Sequence, residues 1–243
     1  MTAAWITTSW DDGHPLDFRV AELLTKYGLT GTFYVPRSAK TEVMNEGQIR
    51  DLAREFEVGA HTLDHVYLDT VSSTEADRQI TASKQWIEDT TGNSCKMFCF
   101  PGGKFCREHL PMLRQAGFRA ARTVECLSFD LPHVNGTCAL MPTTLQAFPH
   151  AWSSYPLNAL RRGNLLALFR YSLERNTRDW VEFAKKSAQF AVDHGGVFHL
   201  WGHSWEIEEH KQWNQLESVF AFLALCGNRA RVRTNSELLN HGH

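Results

Sequence analysis

Ala4-Trp5-Ile6-Thr7-Thr8-Ser9-Trp10 runs into Asp11-Asp12-Gly13-His14. The run from Ala4 to Trp10 reads as a strand, and it delivers two adjacent carboxylates at its end. Such a pair repels itself, and a fold does not place it there without a cation or hydrogen-bond donors nearby. Neighbours on an extended backbone point in different directions. One carboxylate can therefore reach a metal ion while the other faces water beside it. Asp-Gly is also a common turn pair, so a turn or helix cap is the alternative for this stretch alone.

Outward from this strand, short apolar runs alternate with helical patterns. Pro15–Tyr27 reads as helix stopped by Gly28, and Thr30–Pro36 as strand. Asn45, with Gln48 at the capping-box position, opens a helix through Phe56. Val58–Ala60 is a short strand ending at His61, and Thr74 caps a helix to about Thr90. Lys96–Phe100 and Phe118–Thr123 read as strands around a helix over Glu108–Ala116. Val124–Pro156, with four prolines, reads as irregular and as a substrate-side loop. Leu157–Arg175 and Thr177–His194 read as helices, Val197–Trp201 as strand and Gln212–Cys226 as helix. Arg231–Thr234 is a last strand, followed by a helical turn over Ser236–Asn240. Strands alternating with helices predict an α/β fold with a parallel sheet, a single domain over residues 1–243. Seven or so such units close into a barrel, whose chemistry gathers where strands meet the following loops. Asp11, Asp12, His61, Pro101-Gly102-Gly103, Arg122 and His203 all fall at predicted strand ends.

The bulk numbers set bounds. A net charge of −2 gives no pull toward nucleic acid or anionic membrane. No apolar run approaches the ~20 residues of a membrane span. The six cysteines form no CxxC pair, which argues for buried reduced thiols rather than a cysteine-type zinc site. No export signal precedes the first motif, so the expected setting is cytoplasmic. Twelve histidines raise the expectation of metal chemistry.

His61-Thr62-Leu63-Asp64-His65 sharpens that expectation. On a helical turn, imidazoles four residues apart project from one face, close enough to hold one ion. Two imidazoles with a carboxylate suit Zn²⁺ or a similar divalent ion. Phe100-Pro101-Gly102-Gly103 lacks side chains at two successive positions, so its backbone can approach a ligand and donate an N–H; a plain turn is the alternative. In Val197–His203, Val197, His199, Trp201 and His203 share one strand face. His203 sits at the mouth and can protonate a leaving amine, whereas His199 reads as a satisfied core histidine. Trp205 and Glu206 either shape the pocket or pack.

The ordered series Ser9-Trp10-Asp11-Asp12-Gly13, His61-Thr62-Leu63-Asp64-His65, Phe100-Pro101-Gly102-Gly103 and His203 resembles the polysaccharide deacetylase family, the carbohydrate esterases sharing the NodB homology domain. The resemblance runs from about residue 5 to about residue 205. It implies a distorted (β/α)₇ barrel that hydrolyses N- or O-acetyl groups with a divalent metal, usually zinc. It implies Asp12, His61 and His65 as metal ligands, Asp11 as general base and His203 as general acid. Gly102 would offer its backbone N–H to the oxyanion, and Pro101, Arg122 and Trp205 are the candidate substrate contacts. Two departures stand out. Cys99 occupies the place of the family's base-orienting arginine, with Arg122 or Lys104 as candidate substitutes, and the family's later Asp-Trp motif is not evident.

The expected function is hydrolysis of a non-peptide C–N bond, an N-acetyl or similar amide, on a carbohydrate or small sugar derivative. Two alternatives are a catalytically silent, metal-holding carbohydrate-binding protein and a small-molecule amidase on the same barrel. The expected partner is a small molecule or oligosaccharide, with neither nucleic acid nor membrane.

Overall fold

The computed structural model describes residues 3–135, 138–150 and 179–240. The expected helix over Leu157–Arg175 lies outside these residues. Strand β1 (Ala4–Asp11) is buried at all eight positions, because sheet neighbours flank it on both sides. It pairs in parallel with β2 (Thr32–Val35) and β9 (Gly196–Gly202), and its first residues also pair with β10 (Arg231–Val232). From β2 the parallel sheet continues through β3 (Glu57–Ala60), β4 (Met97–Cys99) and β5 (Ala120–Arg122) to β7 (Cys138–Met141). The short β6 (His133–Asn135) adds antiparallel to β7. On the other side of β1, β8 (Leu145–Gln146) pairs with β9.

The two outer ends of this path are one piece of chain. Only residues 142–144 separate β7, which lies on β5, from β8, which lies on β9. Pro142 lacks the N–H a continuous ladder needs, and the chain bends there. Thr144 N–H then donates to His199 O, attaching the bent segment to β9. Counting β7 and β8 as one bent strand, seven positions run round the ring, as the barrel expectation requires.

The helices clothe the ring. They are α1 (Asp17–Lys26), α2 (Glu46–Leu52), α3 (Ser73–Thr91), α4 (His109–Gln115), α5 (Trp180–His194), α6 (Ser204–Glu209), α7 (Trp213–Cys226) and α8 (Asn235–Leu238). The Asn45/Gln48 capping box is present. The cap of α3 is Ser72 rather than Thr74, its hydroxyl accepting from the Glu75 N–H. The region after Val124 is more ordered than its prolines suggest, since it carries β6, β7 and β8. Among the described residues no helix is long and apolar enough to cross a membrane.

Candidate metal and catalytic site

Asp11 and Asp12 leave the end of β1 in opposite directions because the backbone turns between them. Asp11 ends the strand, whereas Asp12 takes a left-handed φ of 75° and Gly13 one of 62°. A Cβ at Gly13 would sit 2.5 Å from Val35 Cγ1, so glycine is needed there. The turn sends Asp12 toward the loop after β3, where Oδ1 lies 3.0 Å from His65 Nε2 and 3.5 Å from His61 Nε2.

The two histidines do not share a helical turn, contrary to the sequence expectation. Residues 61–65 form an irregular loop with left-handed Thr62 (φ 57°) and His65 (φ 50°). Gln79 on α3 fixes its shape: the side-chain carbonyl accepts from the Leu63 and Asp64 N–H groups. Thr62 Oγ1 accepts from Val66 N–H. Asp64 turns away toward Arg37 and Ser38 and takes no part in the cluster. The His61 and His65 rings end 5.0 Å apart, centre to centre.

Asp12, His61 and His65 form a group able to hold one metal ion. Two features fit the ion. Asp12 Oδ1 is buried without a hydrogen-bond donor, faced by two imidazole nitrogens. His61 Nδ1 lies 2.9 Å from the Cys99 carbonyl; a carbonyl only accepts, so Nδ1 carries the proton and Nε2 presents its lone pair. Burial disfavours the Asp12 carboxylate, yet the adjoining imidazoles of His61 and His65 and the nearby His203 outweigh it and hold the group far below the usual carboxylate range.

Asp11 is 3% exposed and forms a hydrogen-bonded ion pair through Oδ2 with Arg122 Nη2. Arg122 is 0% exposed, so it orients Asp11 and does not reach substrate; its expectation as a substrate contact is corrected here. Its guanidinium lies 4.6 Å from the Trp201 ring centre and 5.5 Å from that of Tyr34, aromatic faces that receive its remaining charge. Arg122 on β5 sits in direct register with Cys99 on β4. The thiol at the expected arginine position leaves room for an arginine from the neighbouring strand, with Cys99 Sγ 3.7 Å from Asp11 Oδ2. Burial raises the Asp11 carboxyl's pKa, but the Arg122 charge above all, with His203, brings it below the ordinary value. Asp11 Oδ1 is buried and has no donor.

His203 follows β9 and precedes α6. Its Nε2 is 3.9 Å from Asp12 Oδ2, and its Nδ1–H donates to Glu206 Oε2 at 2.6 Å. Gln146 on β8 donates to the same carboxylate at 3.0 Å and accepts from His150. Burial lowers the His203 pKa, but the Glu206 hydrogen bond and the charges of Asp11 and Asp12 raise it to about 9. His199, one layer deeper, is spent on structure: Nδ1–H faces Pro142 O and Nε2 accepts from Ser9 Oγ. Burial, with the Arg122 charge, lowers its pKa to about 3, so it is neutral.

A cleft of about 470 Å³ opens over this cluster, lined by Asp12, Lys40, His65, Tyr67 and Trp205 among others. Pro101 is buried and builds its turn rather than facing the cleft, which corrects its assignment as a substrate contact. Gly102 is exposed at φ 58°, and a Cβ there would lie 3.2 Å from Tyr67 Cε1. The turn's bonds come from the Gly103 and Lys104 N–H groups, leaving the Gly102 N–H outside them. Trp205 lines the cleft, and its Nε1–H also donates to Asp12 Oδ2 at 2.9 Å. Among the described residues, Arg122 forms an ion pair with Asp11 and Lys104 does not. Sequence reasoning passed over Gln146 and left Glu206 unassigned. The spacing of three between His203 and Glu206 on a helical start was the available clue.

Residues 2–121 match the family model described as polysaccharide deacetylase. No curated protein matches the chain. Solved structures share the fold at low identity. One from Mycobacterium smegmatis, assigned to the polysaccharide deacetylases, is 15% identical with a TM-score of 0.67, over 99% of this chain and 90% of the other. The chitin deacetylase of the fungus Colletotrichum lindemuthianum is 16% identical with a TM-score of 0.62, over 98% and 90%. The Xyl-CE4 domain of a multidomain xylanase from the hindgut metagenome of Trinervitermes trinervoides is 13% identical with a TM-score of 0.61, over 99% and 91%.

Proposed function

We propose that the chain, whose residues 2–121 match the polysaccharide deacetylase family model, is a deacetylase-type hydrolase that removes an N-acetyl or similar acyl group from a sugar amine with the help of one divalent ion, zinc by preference. The observation that carries the reading is the donorless Asp12 Oδ1 facing His61 Nε2 and His65 Nε2, beside an Asp11 carboxylate fixed by Arg122. One oxygen and two nitrogens are a donor set that suits zinc. Held there, zinc would polarise the acyl carbonyl and make a nearby water more acidic.

The chain's own groups then divide the proton work. Asp11 Oδ1 takes the proton of the attacking water, while Arg122 keeps Oδ2 occupied and the carboxylate ionised. His203 is charged near neutral pH and delivers a proton from Nε2 to the departing nitrogen. Glu206 holds the ring through Nδ1, which keeps Nε2 directed toward Asp12. The Gly102 N–H donates to the oxyanion. Tyr67 and the Trp205 ring offer apolar faces to a sugar along the cleft. We treat the chain as one domain acting on an oligosaccharide or a small sugar derivative. Its six free thiols suit a reducing, cytoplasmic setting.

The test is acetate release from N-acetylated mono- and oligosaccharides by the purified chain, metal-stripped and then zinc-loaded. Zinc-dependent release is expected. A chain that binds zinc and sugar but releases no acetate would instead be a binding protein.

A further inference from the structure

The two oxygens of Asp12 have different surroundings. Oδ1 faces the imidazoles of His61 and His65 and has no donor. Oδ2 accepts the Trp205 indole N–H at 2.9 Å. We propose that Trp205 is a positioning residue for the metal: its N–H holds Oδ2, so that Asp12 offers a divalent ion Oδ1 alone and does not chelate it with both oxygens. This rests on the metal reading of the site.

The geometry makes the restraint effective. Asp12 is 5% exposed, and its backbone is fixed by its left-handed φ and by Gly13 packed on Val35. The carboxylate can respond to a ligand only by turning about its own side-chain bonds. The indole blocks that turn. Trp205 is itself anchored, because it lies in the first turn of α6 between the fully buried Ser204 and the buried Ile207, with its ring 5.5 Å from that of His203. A chelating carboxylate fills two coordination positions where a single oxygen fills one. Hydrolytic zinc sites keep a position open for water or substrate. Hydrogen bonds to ligating groups orient them, and their loss typically costs about 10–100-fold in metal affinity. Trp205 thus serves Asp12 through its N–H while its ring lines the cleft.

Trp205→Phe keeps a ring and removes the N–H. The metal-free full chain is titrated with Zn²⁺ against a chelating dye, then with Co²⁺ while the visible absorption is followed. Zinc affinity is expected to fall about 10–100-fold. The Co²⁺ bands are expected to weaken as the freed Oδ2 raises the coordination number. Trp213→Phe, which removes an indole hydrogen bond to Glu208 away from the site, is expected to leave both unchanged. If Trp205→Phe does not fold, indole N–H resonances of the wild-type chain decide: the Trp205 proton stays hydrogen-bonded and protected from exchange after zinc is added. Wild-type affinity and an unchanged Co²⁺ spectrum in Trp205→Phe, or a freely exchanging Trp205 proton in the zinc-loaded chain, would overturn the inference while leaving the metal site intact. A wild-type chain that binds no divalent ion would overturn the metal reading and this inference together.

Discussion

The groups that would hold the ion and the groups that steady the reacting side chains come from different parts of the chain. Asp12, His61 and His65 all lie within residues 2–121, the stretch that carries the family signature. Arg122 is the first residue beyond it, and Gln146, Trp205 and Glu206 follow much later. The difference is physical. Ligand atoms must meet an ion at about 2.0–2.2 Å from fixed directions, so their positions on the fold cannot drift. A supporting charge has only to reach its partner through a dry interior, and any neighbouring strand can supply it. Cys99 and Arg122, paired across β4 and β5, show this: the arginine comes from one strand over and arrives at the same carboxylate.

The largest effect expected from breaking this division is Asp11→Asn. Turnover should fall by about 10²–10⁴, the range of a lost general base, while bound metal stays at the wild-type level. Kinetics alongside metal content checks both halves.

Arg122→Met tests the migrated support. It leaves Asp11 buried beside a neutral side chain, and denaturant unfolding at neutral pH should show a loss of about 3–5 kcal/mol. The sign with pH follows from Asp11, whose folded pKa is depressed. The stability of the pair is present above the unfolded value of about 4 and is lost as pH falls toward the folded value. The gap between wild type and Arg122→Met should therefore narrow below about pH 4. Adding Cys99→Arg to Arg122→Ala should recover part of the turnover, since the two positions are in register. No recovery in a folded double variant would show that the arginine cannot be moved between strands.

Glu206→Gln should act more gently. It keeps a side chain of the same shape near His203 Nδ1 but removes the charge. A drop in kcat of roughly tenfold with KM little changed is expected, less than loss of the acid itself. A change confined to KM would place Glu206 in substrate binding instead. Smallest in catalytic effect is Gly103→Ala. A Cβ there would lie 2.2 Å from Val124 Cγ2 at φ 66°, so stability should fall by about 1–3 kcal/mol while kcat of the folded fraction holds.

Much of the site could be read from the sequence because its elements are local. An apolar strand ending in Asp11-Asp12, a strand ending at His61 and the Gly102-Gly103 turn each identify themselves within a few residues. What could not be read depends on distant partners. The loop over residues 61–65 looks helical by spacing, and only Gln79, brought in by α3, holds it otherwise. The bent strand from β7 to β8 hides behind Pro142 and shows only when β5 and β9 lie on either side. Arg122 resembled a cleft residue because it ends a strand, but its neighbours Trp201 and Tyr34 close over it. The second role of Trp205 depends on one hydrogen bond across 193 positions of sequence.

Zinc titration of the metal-stripped chain, beside the double variant His61→Ala/His65→Ala, tests the convergence of Asp12 and the two imidazoles most directly. The wild-type chain should bind one equivalent tightly, and the folded double variant should bind none at the same concentrations. Equal stoichiometry and affinity in the two proteins would contradict the assignment of the ion to this cluster.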